Sequence, residues 1–168
     1  SHNNATTYYS KLSALVEECR PIVNTFGKYT TDSYSAYETA YNAADAISES
    51  SYDWDILNAY DTLLEKKNAL ALSTGFSNVA LTLGGKIGVN LLTYDENAAS
   101  AEFTMNGESL TPVTSTLDGG TVYTVEVAAK EMADTITAVL KDAGGNEIAR
   151  QEKSVAEYAA GYLVENSG

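Results

Sequence analysis

The spacing of hydrophobic residues changes once along this chain, near residue 75. Between residues 5 and 72, apolar residues recur every three or four positions, as they do on one face of an α-helix. From Val79 onward they recur at every second position, as they do on one face of a β-strand. The sequence therefore predicts an α+β protein with two domains, a helical one at residues 3–74 and a β domain at residues 75–168.

The helical part contains three predicted helices that are joined by short turns. The first helix is interrupted near its end by Pro21. The second follows residues 29–32, which supply N-cap chemistry, and runs to about Ile47. The third is capped by Asp53 and runs to about Leu70, and the short connections favour an antiparallel three-helix bundle. The apolar stripe of the first helix comprises Leu12, Leu15, Val16, Cys19, Ile22 and Val23.

Short alternating runs predict the strands of the β domain. The runs begin at Val79, Ile87, Ala101, Tyr123 and Ile136. Asn106-Gly107 predicts a tight hairpin, and the polar stretch 147–152 predicts an edge strand. Ser154 and Glu157 fit a capping box, which opens a short final helix through residues 162–163. We expect a small antiparallel, Ig-like β-sandwich on which the helical bundle packs.

The chain is strongly acidic, and this limits its partners. It has 23 Asp+Glu against 10 Lys+Arg, which gives a formal charge of −13. A surface of this kind repels phosphate backbones and anionic lipids, so we expect no nucleic-acid partner. No apolar run reaches the roughly 18 residues of a membrane span, so we expect no membrane insertion either. A neutral polysaccharide or oligosaccharide is not repelled by this charge.

Signatures of catalysis are weak in this sequence. The only histidine is His2, and Ser1-His2 reads as a remnant of a cleaved tag, so a Ser-His or Cys-His arrangement cannot be built. Gly84-Gly85-Lys86 lacks the first glycine and the final Ser/Thr of a phosphate-binding loop. We expect a non-catalytic fragment that binds no metal or cofactor. We also expect it to belong to a larger protein and to have the other modules of that protein as partners.

The only tryptophan lies in the stretch SSYDWDILNAY, residues 50–60, and it does not fit the helical core pattern. At about 100° per residue, Trp54 lies roughly 120° from the centre of the apolar stripe of the third helix. One interpretation is that Trp54 packs against the β domain. The other is an exposed stacking platform, with Tyr52 as a second ring and Asp53 and Asp55 as hydrogen-bond acceptors. Both agree with a site near the junction of the two domains. The stripe of the third helix comprises Ile56, Leu57, Tyr60, Leu63 and Leu64.

Other tyrosines offer further candidates for this site. Tyr34, Tyr37 and Tyr41 follow the i, i+3, i+7 spacing of one helix face. We expect Tyr37 and Tyr41 in the core, while Tyr34 at the edge of the stripe fits either the core or a binding site. Tyr94, in the loop-like segment 93–97, is a candidate contact from the β domain.

The helical part resembles the FIVAR-type modules of bacterial surface proteins. The resemblance covers about residues 8–72 and rests on the segment 29–34, on Ala40, Tyr41, Ala44 and Ile47, and on Ala59, Leu63 and Leu70. Such modules recur in large extracellular carbohydrate-active and adhesin-like proteins and are suspected of sugar binding or spacing. The acidic aromatic turn at residues 52–55 departs from that pattern.

The β part is similar to a module of surface proteins from gut Firmicutes. The matching segments are 83–90, 102–104, 127–132, 134–138 and 154–159. These modules accompany dockerins and starch-adhering assemblies, so the resemblance implies an extracellular, cell-surface location in a gut bacterium. It also implies a plant polysaccharide as ligand, with a starch-like α-1,4-glucan first. The alternative is a structural spacer or a protein–protein interaction module of a cell-surface scaffold or adhesin.

Overall fold

The computed structural model describes the backbone of residues 2–166 and the side chains of residues 7–160. The chain divides into two compact units, Ser1–Ala71 and Leu72–Gly168, close to the change in hydrophobic spacing. Of the expected tag remnant, Ser1 and the side chain of His2 lie outside the described residues, as do the side chains of Tyr162 and Leu163.

The described part of the first unit, residues 2–71, forms three helices, α1 (His2–Cys19), α2 (Thr31–Asp45) and α3 (Asp53–Asn68). Helix α1 ends at Cys19, two residues before Pro21, which cannot continue a regular helix. Thr30 caps α2, because its side-chain oxygen accepts a hydrogen bond from the Ser33 backbone N–H at 3.3 Å. Each of the first two helices therefore has at least one end that is fixed by a local signal in the sequence.

The predicted cap of α3 is wrong. Asp53 is the first helical residue, and the N-cap position belongs to Tyr52, whose side chain makes no capping hydrogen bond. Asp53 and Asp55 instead lie in the first turn, where negative charge is stabilised by the positive end of the helix dipole. Lys66 and Lys67 lie in the last turn, where the dipole favours positive charge.

Helix α3 contacts both α1 and α2, and the three helices share one hydrophobic core. Ile56 and Leu63 are its most deeply buried residues on α3, each 0% exposed. Tyr37 lies in this core as predicted, and Tyr41 is half-buried against it. Val23 is exposed, because α1 ends before it, so the predicted stripe of the first helix is too long. The buried members are Leu12, Leu15, Val16, Cys19, Tyr37, Ala40, Ala44, Ile56 and Leu63.

In the second unit, the residues that the structure describes, 72–166, form eight strands and a final α-helix. The strands are β1 (Phe76–Leu83), β2 (Ile87–Thr93), β3 (Ser100–Met105), β4 (Glu108–Leu110), β5 (Val113–Leu117), β6 (Gly120–Val127), β7 (Thr135–Lys141) and β8 (Glu147–Ser154), followed by α4 (Val155–Asn166). They form two antiparallel sheets, in the orders β1-β2-β6-β5 and β4-β3-β7-β8. Strand β5 has no counterpart in the pattern of alternating residues.

A single hydrophobic core draws on strands of both sheets and on α4. The inward residues of β6, for example, are Tyr123, Val125 and Val127, at every second position. From α4, Val155 and Tyr158 join this core. The Tyr158 hydroxyl donates to Gln151 Oε1 at 3.1 Å, and burial raises the pKa of Tyr158 to about 12.

Three local predictions for this unit are confirmed. Asn106 and Gly107 both have positive φ, 55° and 79°, which is the conformation of a two-residue type I′ hairpin between β3 and β4. Strand β8 is at the edge of its sheet. Ser154 Oγ accepts from the Glu157 N–H at 3.1 Å, while the Glu157 carboxylate accepts from the Ser154 N–H at 3.3 Å, which completes the capping box.

Among the described residues, no helix is both long enough and apolar enough to cross a bilayer.

The hydroxyl of Tyr37 gives a test of the helical core. It donates to the Cys19 backbone carbonyl at 2.7 Å, and burial raises the pKa of Tyr37 above its usual value. We expect Tyr37→Phe to lower the free energy of unfolding by about 1 kcal/mol, because the Cys19 carbonyl keeps its bond from the Ile22 N–H at 2.9 Å. Urea unfolding followed by the helical circular-dichroism signal measures this loss.

The matched control is Tyr41→Phe, on the same helix, where no hydrogen bond of the hydroxyl is found among the described residues. We expect it to leave the free energy of unfolding nearly unchanged. Equal losses for the two variants would contradict the role of the Tyr37 hydrogen bond.

Candidate functional site

The first turn of α3 exposes two aromatic rings. Tyr52 is 81% exposed and Trp54 is 75% exposed. Tyr52 precedes the helix in an extended conformation, with φ −62° and ψ 146°, and its carbonyl accepts a hydrogen bond from the Ile56 N–H at 3.0 Å. Both rings therefore start from a backbone that is fixed by the beginning of the helix.

The turn that leads into α3 is closed by serine hydrogen bonds. The Ser51 N–H donates to the Ser48 carbonyl at 3.0 Å, and the Ser48 N–H donates to Ser51 Oγ at 3.1 Å. Reciprocal bonds of this kind stabilise a tight turn without help from a larger side chain. The Tyr52 side chain is thus not needed to hold the segment.

Helical geometry explains why Trp54 is exposed. Leu63 follows it by nine residues, which at about 100° per residue places the two side chains about 180° apart around the axis. Since Leu63 is fully buried, Trp54 lies on the side of α3 that faces away from the helical core. The sequence predicts an angle of only about 120° between Trp54 and the centre of the apolar stripe. That centre is an average in which Leu57, Tyr60 and Leu64 count as much as the deeply buried Ile56 and Leu63.

Polar side chains share the outer face of α3 with Trp54. Asn58 follows it by one turn and Asp61 by two turns, and both are exposed. Asp55 is also exposed, whereas Asp53 is half-buried. Asn58 and Asp61 were not among the predicted site residues, although their spacing of four and seven residues from Trp54 could have identified them. The face therefore combines an aromatic ring with carboxylate and amide groups.

A shallow groove between α2 and α3 adjoins this face. A cavity of about 220 Å³ lies between the two helices. One side is lined by Ala40 and Ala43 of α2 and by Ile47, which follows the end of α2. The other side is lined by residues of α3, namely Asp55, Asn58, Ala59 and Thr62. Asp55 and Asn58 belong both to the groove and to the turns around Trp54. A ligand on the ring could thus also contact polar groups and small apolar side chains in the groove.

Tyr34 lies outside this surface. A second cavity is lined by Asp32 and Ser35 from the start of α2 and by Lys66 from the end of α3. The start of α2 therefore lies beside the end of α3. Tyr34 is therefore separated from the first turn of α3 by most of the length of α2, roughly 15–20 Å. Its ring packs on Tyr37, with 5.7 Å between centroids, and burial raises the pKa of Tyr34. Tyr34 belongs to the edge of the core.

Tyr94 is buried, so the prediction that it contacts a ligand from the β domain is wrong. The side chain is 5% exposed, so its ring offers no free face to a ligand. It packs so closely over Gly120 that a Cβ there would lie 2.7 Å from Tyr94 Cε1. The adjacent loop is held by Asp95, whose carboxylate accepts from the Gly75 N–H at 2.9 Å and from the Asn97 N–H at 3.0 Å. Tyr94 has a structural position in the β unit.

No protein-family model matches this chain, and a search among curated proteins gives no significant match.

The exposure of Trp54 can be tested by stability and by fluorescence. Trp54 is the only tryptophan, so the fluorescence of the protein reports on this residue. Because the ring is exposed, we expect red-shifted emission that acrylamide readily quenches. Trp54→Ala should change the free energy of unfolding by no more than about 0.5 kcal/mol, because little of the ring is buried. Leu63→Ala, the control on the opposite face, should lower it by about 2–5 kcal/mol. Blue-shifted, protected emission would contradict this placement of Trp54.

Proposed function

We propose that this chain is a non-catalytic carbohydrate-binding fragment of an extracellular bacterial protein, with plant polysaccharide as its ligand and a starch-like α-1,4-glucan as the first candidate. The observation that carries the proposal is the exposure of Tyr52, at the N-cap of α3, and of Trp54, beside the exposed polar residues Asp55, Asn58 and Asp61. The proposed site is the outer face of the first turns of α3, and it includes the half-buried Asp53 as a further hydrogen-bond acceptor.

The chemistry of a sugar fits this combination of groups. A pyranose ring has one face of C–H bonds, which an aromatic plane can cover, and a rim of hydroxyl groups, which carboxylate and amide oxygens can accept from. Trp54 and Tyr52 supply the planes, while Asp55, Asn58 and Asp61 supply acceptors. The groove beside Asp55 and Asn58 gives a longer chain room for a second sugar unit.

The net charge supports a neutral ligand. At −13, the protein repels polyanions at a distance, whereas an uncharged glucan carries no such penalty. A few stacked rings contribute on the order of 1–3 kcal/mol each, by analogy with nucleobase stacking, so we expect modest affinity for one site. Retention on a polysaccharide would then depend on repeated sites in the larger protein.

We further propose a cell-surface setting for this chain, which the sequence resemblances support. The helical unit would be a FIVAR-like module and the second unit an Ig-like β-sandwich, displayed beside other modules of a surface protein of a gut bacterium. The shared core of the two sheets supports the sandwich arrangement. The extracellular location rests on the sequence resemblance.

A second candidate function is a spacer or protein-interaction module. The same exposed Trp and Tyr favour it, because these residues dominate the hot spots of protein interfaces. In that case the aromatic turn would bind a protein partner of the surface scaffold and would not bind sugar.

Retention on insoluble starch tests the proposal. We expect the wild-type protein to be retained, and Trp54→Ala to weaken binding roughly 5- to 150-fold, which corresponds to the loss of one stacked ring. Depletion from solution over a series of starch concentrations measures this affinity, with cellulose and xylan in parallel.

The matched control is Phe26→Ala, which removes another exposed aromatic ring, 38% exposed, from the loop between α1 and α2. It should bind starch as the wild type does. Absence of retention on all of these polysaccharides would overturn the proposal and favour the protein-interaction alternative.

A further inference from the structure

The two sheets have four edge strands, and three of them are protected against pairing with another strand. Exposed strand edges pair readily with other chains unless charge, shortness, bulges or a covering element prevents it. Strand β8 carries Glu147, Arg150, Glu152 and Lys153, and β4 has only three residues. Strand β1 has a register irregularity between Phe76 and Asn78, and α4 packs beside it.

Strand β5 lacks these protections. It reads Val-Thr-Ser-Thr-Leu at residues 113–117, pairs only with β6, and all five of its residues are exposed. Val113 is 71% exposed and Leu117 is 38% exposed. None of the five carries a charge, in a protein whose net charge is −13. Strand β1 also carries no charge, but α4 packs beside it, so β5 is the uncharged edge that stays open to another strand.

The hairpin between β5 and β6 determines which backbone groups point outward. Its loop is Asp118-Gly119, with positive φ of 50° and 82°, so Leu117 and Gly120 form the hydrogen-bonded pair that closes a two-residue turn. Hydrogen-bonded and non-hydrogen-bonded pairs alternate along an antiparallel ladder. The N–H and C=O groups of Thr114 and Thr116 therefore point away from β6, toward the open edge.

The sequence of β5 is self-complementary around Ser115. When two copies of β5 are placed antiparallel with Ser115 opposite itself, Thr114 lies opposite Thr116 and Val113 lies opposite Leu117. Thr–Thr and apolar cross-strand pairs are both stabilising, and no like charges face each other within the strand. In this same register, Thr114 and Thr116 can exchange both backbone hydrogen bonds, because both have outward groups.

We propose that β5 is a homotypic interaction surface, through which two copies of this chain pair by antiparallel addition of β5 to β5. The pairing joins the two sheets that contain β5 into one continuous sheet across a two-fold axis. A contact of one short strand is small, so the dimer is weak and forms at high local concentration. The dimer carries two copies of every ligand site, which increases retention on a repetitive ligand. The proposal does not depend on the identity of that ligand.

Sedimentation velocity over a series of protein concentrations tests this pairing. We expect the sedimentation coefficient of the wild type to rise with concentration toward that of a dimer. Ser115→Lys should remain monomeric, because the two Ser115 residues form a non-hydrogen-bonded pair with Cα atoms about 4.5 Å apart, which would place two ammonium groups together.

Ser109→Lys is the matched control. It makes the same change at an exposed serine on the β4 edge and should dimerise as the wild type does. Thr114→Pro gives a second test, since it removes an outward N–H without breaking the ladder with β6, and it should also abolish the dimer. Urea unfolding identifies any variant that fails to fold.

Hydrogen exchange identifies the surface independently. In the wild type, the Thr114 and Thr116 amides should become protected as the protein concentration rises. The proposal is overturned if the wild type is monomeric at all concentrations, if Ser115→Lys dimerises as well as the wild type, or if Ser109→Lys loses the dimer equally.

Discussion

The burial of Ile56 and Leu63 against α1 and α2 determines how the helical unit presents itself to solvent. Both residues are fully buried, and they lie two helical turns apart on α3, which contacts both α1 and α2. Their positions fix the rotation of α3 about its axis. Trp54, two residues before Ile56, is then turned by about 200° and must face outward. The exposed tryptophan is a consequence of the core, and it leaves a large apolar ring available for binding.

The β unit follows the same separation of inside and outside with a period of two. Strand β6 directs Tyr123, Val125 and Val127 into the core shared by both sheets. Its neighbour β5 makes no contribution to that core and is exposed along its whole length, which is why its outer edge and both of its faces are available. Each unit thus leaves a feature exposed that can bind a partner, an aromatic turn in the first and an uncharged strand edge in the second.

Most local signals in the sequence predicted local structure well, with Asp53 as the cap of α3 the exception, whereas features that depend on distant residues were missed. Thr30 as a helix cap and Asn106-Gly107 as a hairpin depend on the conformational preferences of a few adjacent residues. The local sequence around Tyr94 predicts a loop contact, because the burial of this ring depends on Gly120, which is far along the chain and makes room for it. Strand β5 was missed because it is exposed on both faces and shows no alternation. The outward position of Trp54 was predicted only in part, since it depends on which members of the stripe are most deeply buried.

The central claim is that Trp54 is a ligand platform on the outer face of α3. The most direct measurement is the indole N–H resonance of this single tryptophan in a nitrogen-labelled sample during titration with maltoheptaose. Our account predicts a saturable shift of the indole signal together with the backbone amides of Asp55 and Asn58, and no such shift with cello- or xylo-oligosaccharides. An indole signal that does not move with any of these sugars would contradict the account.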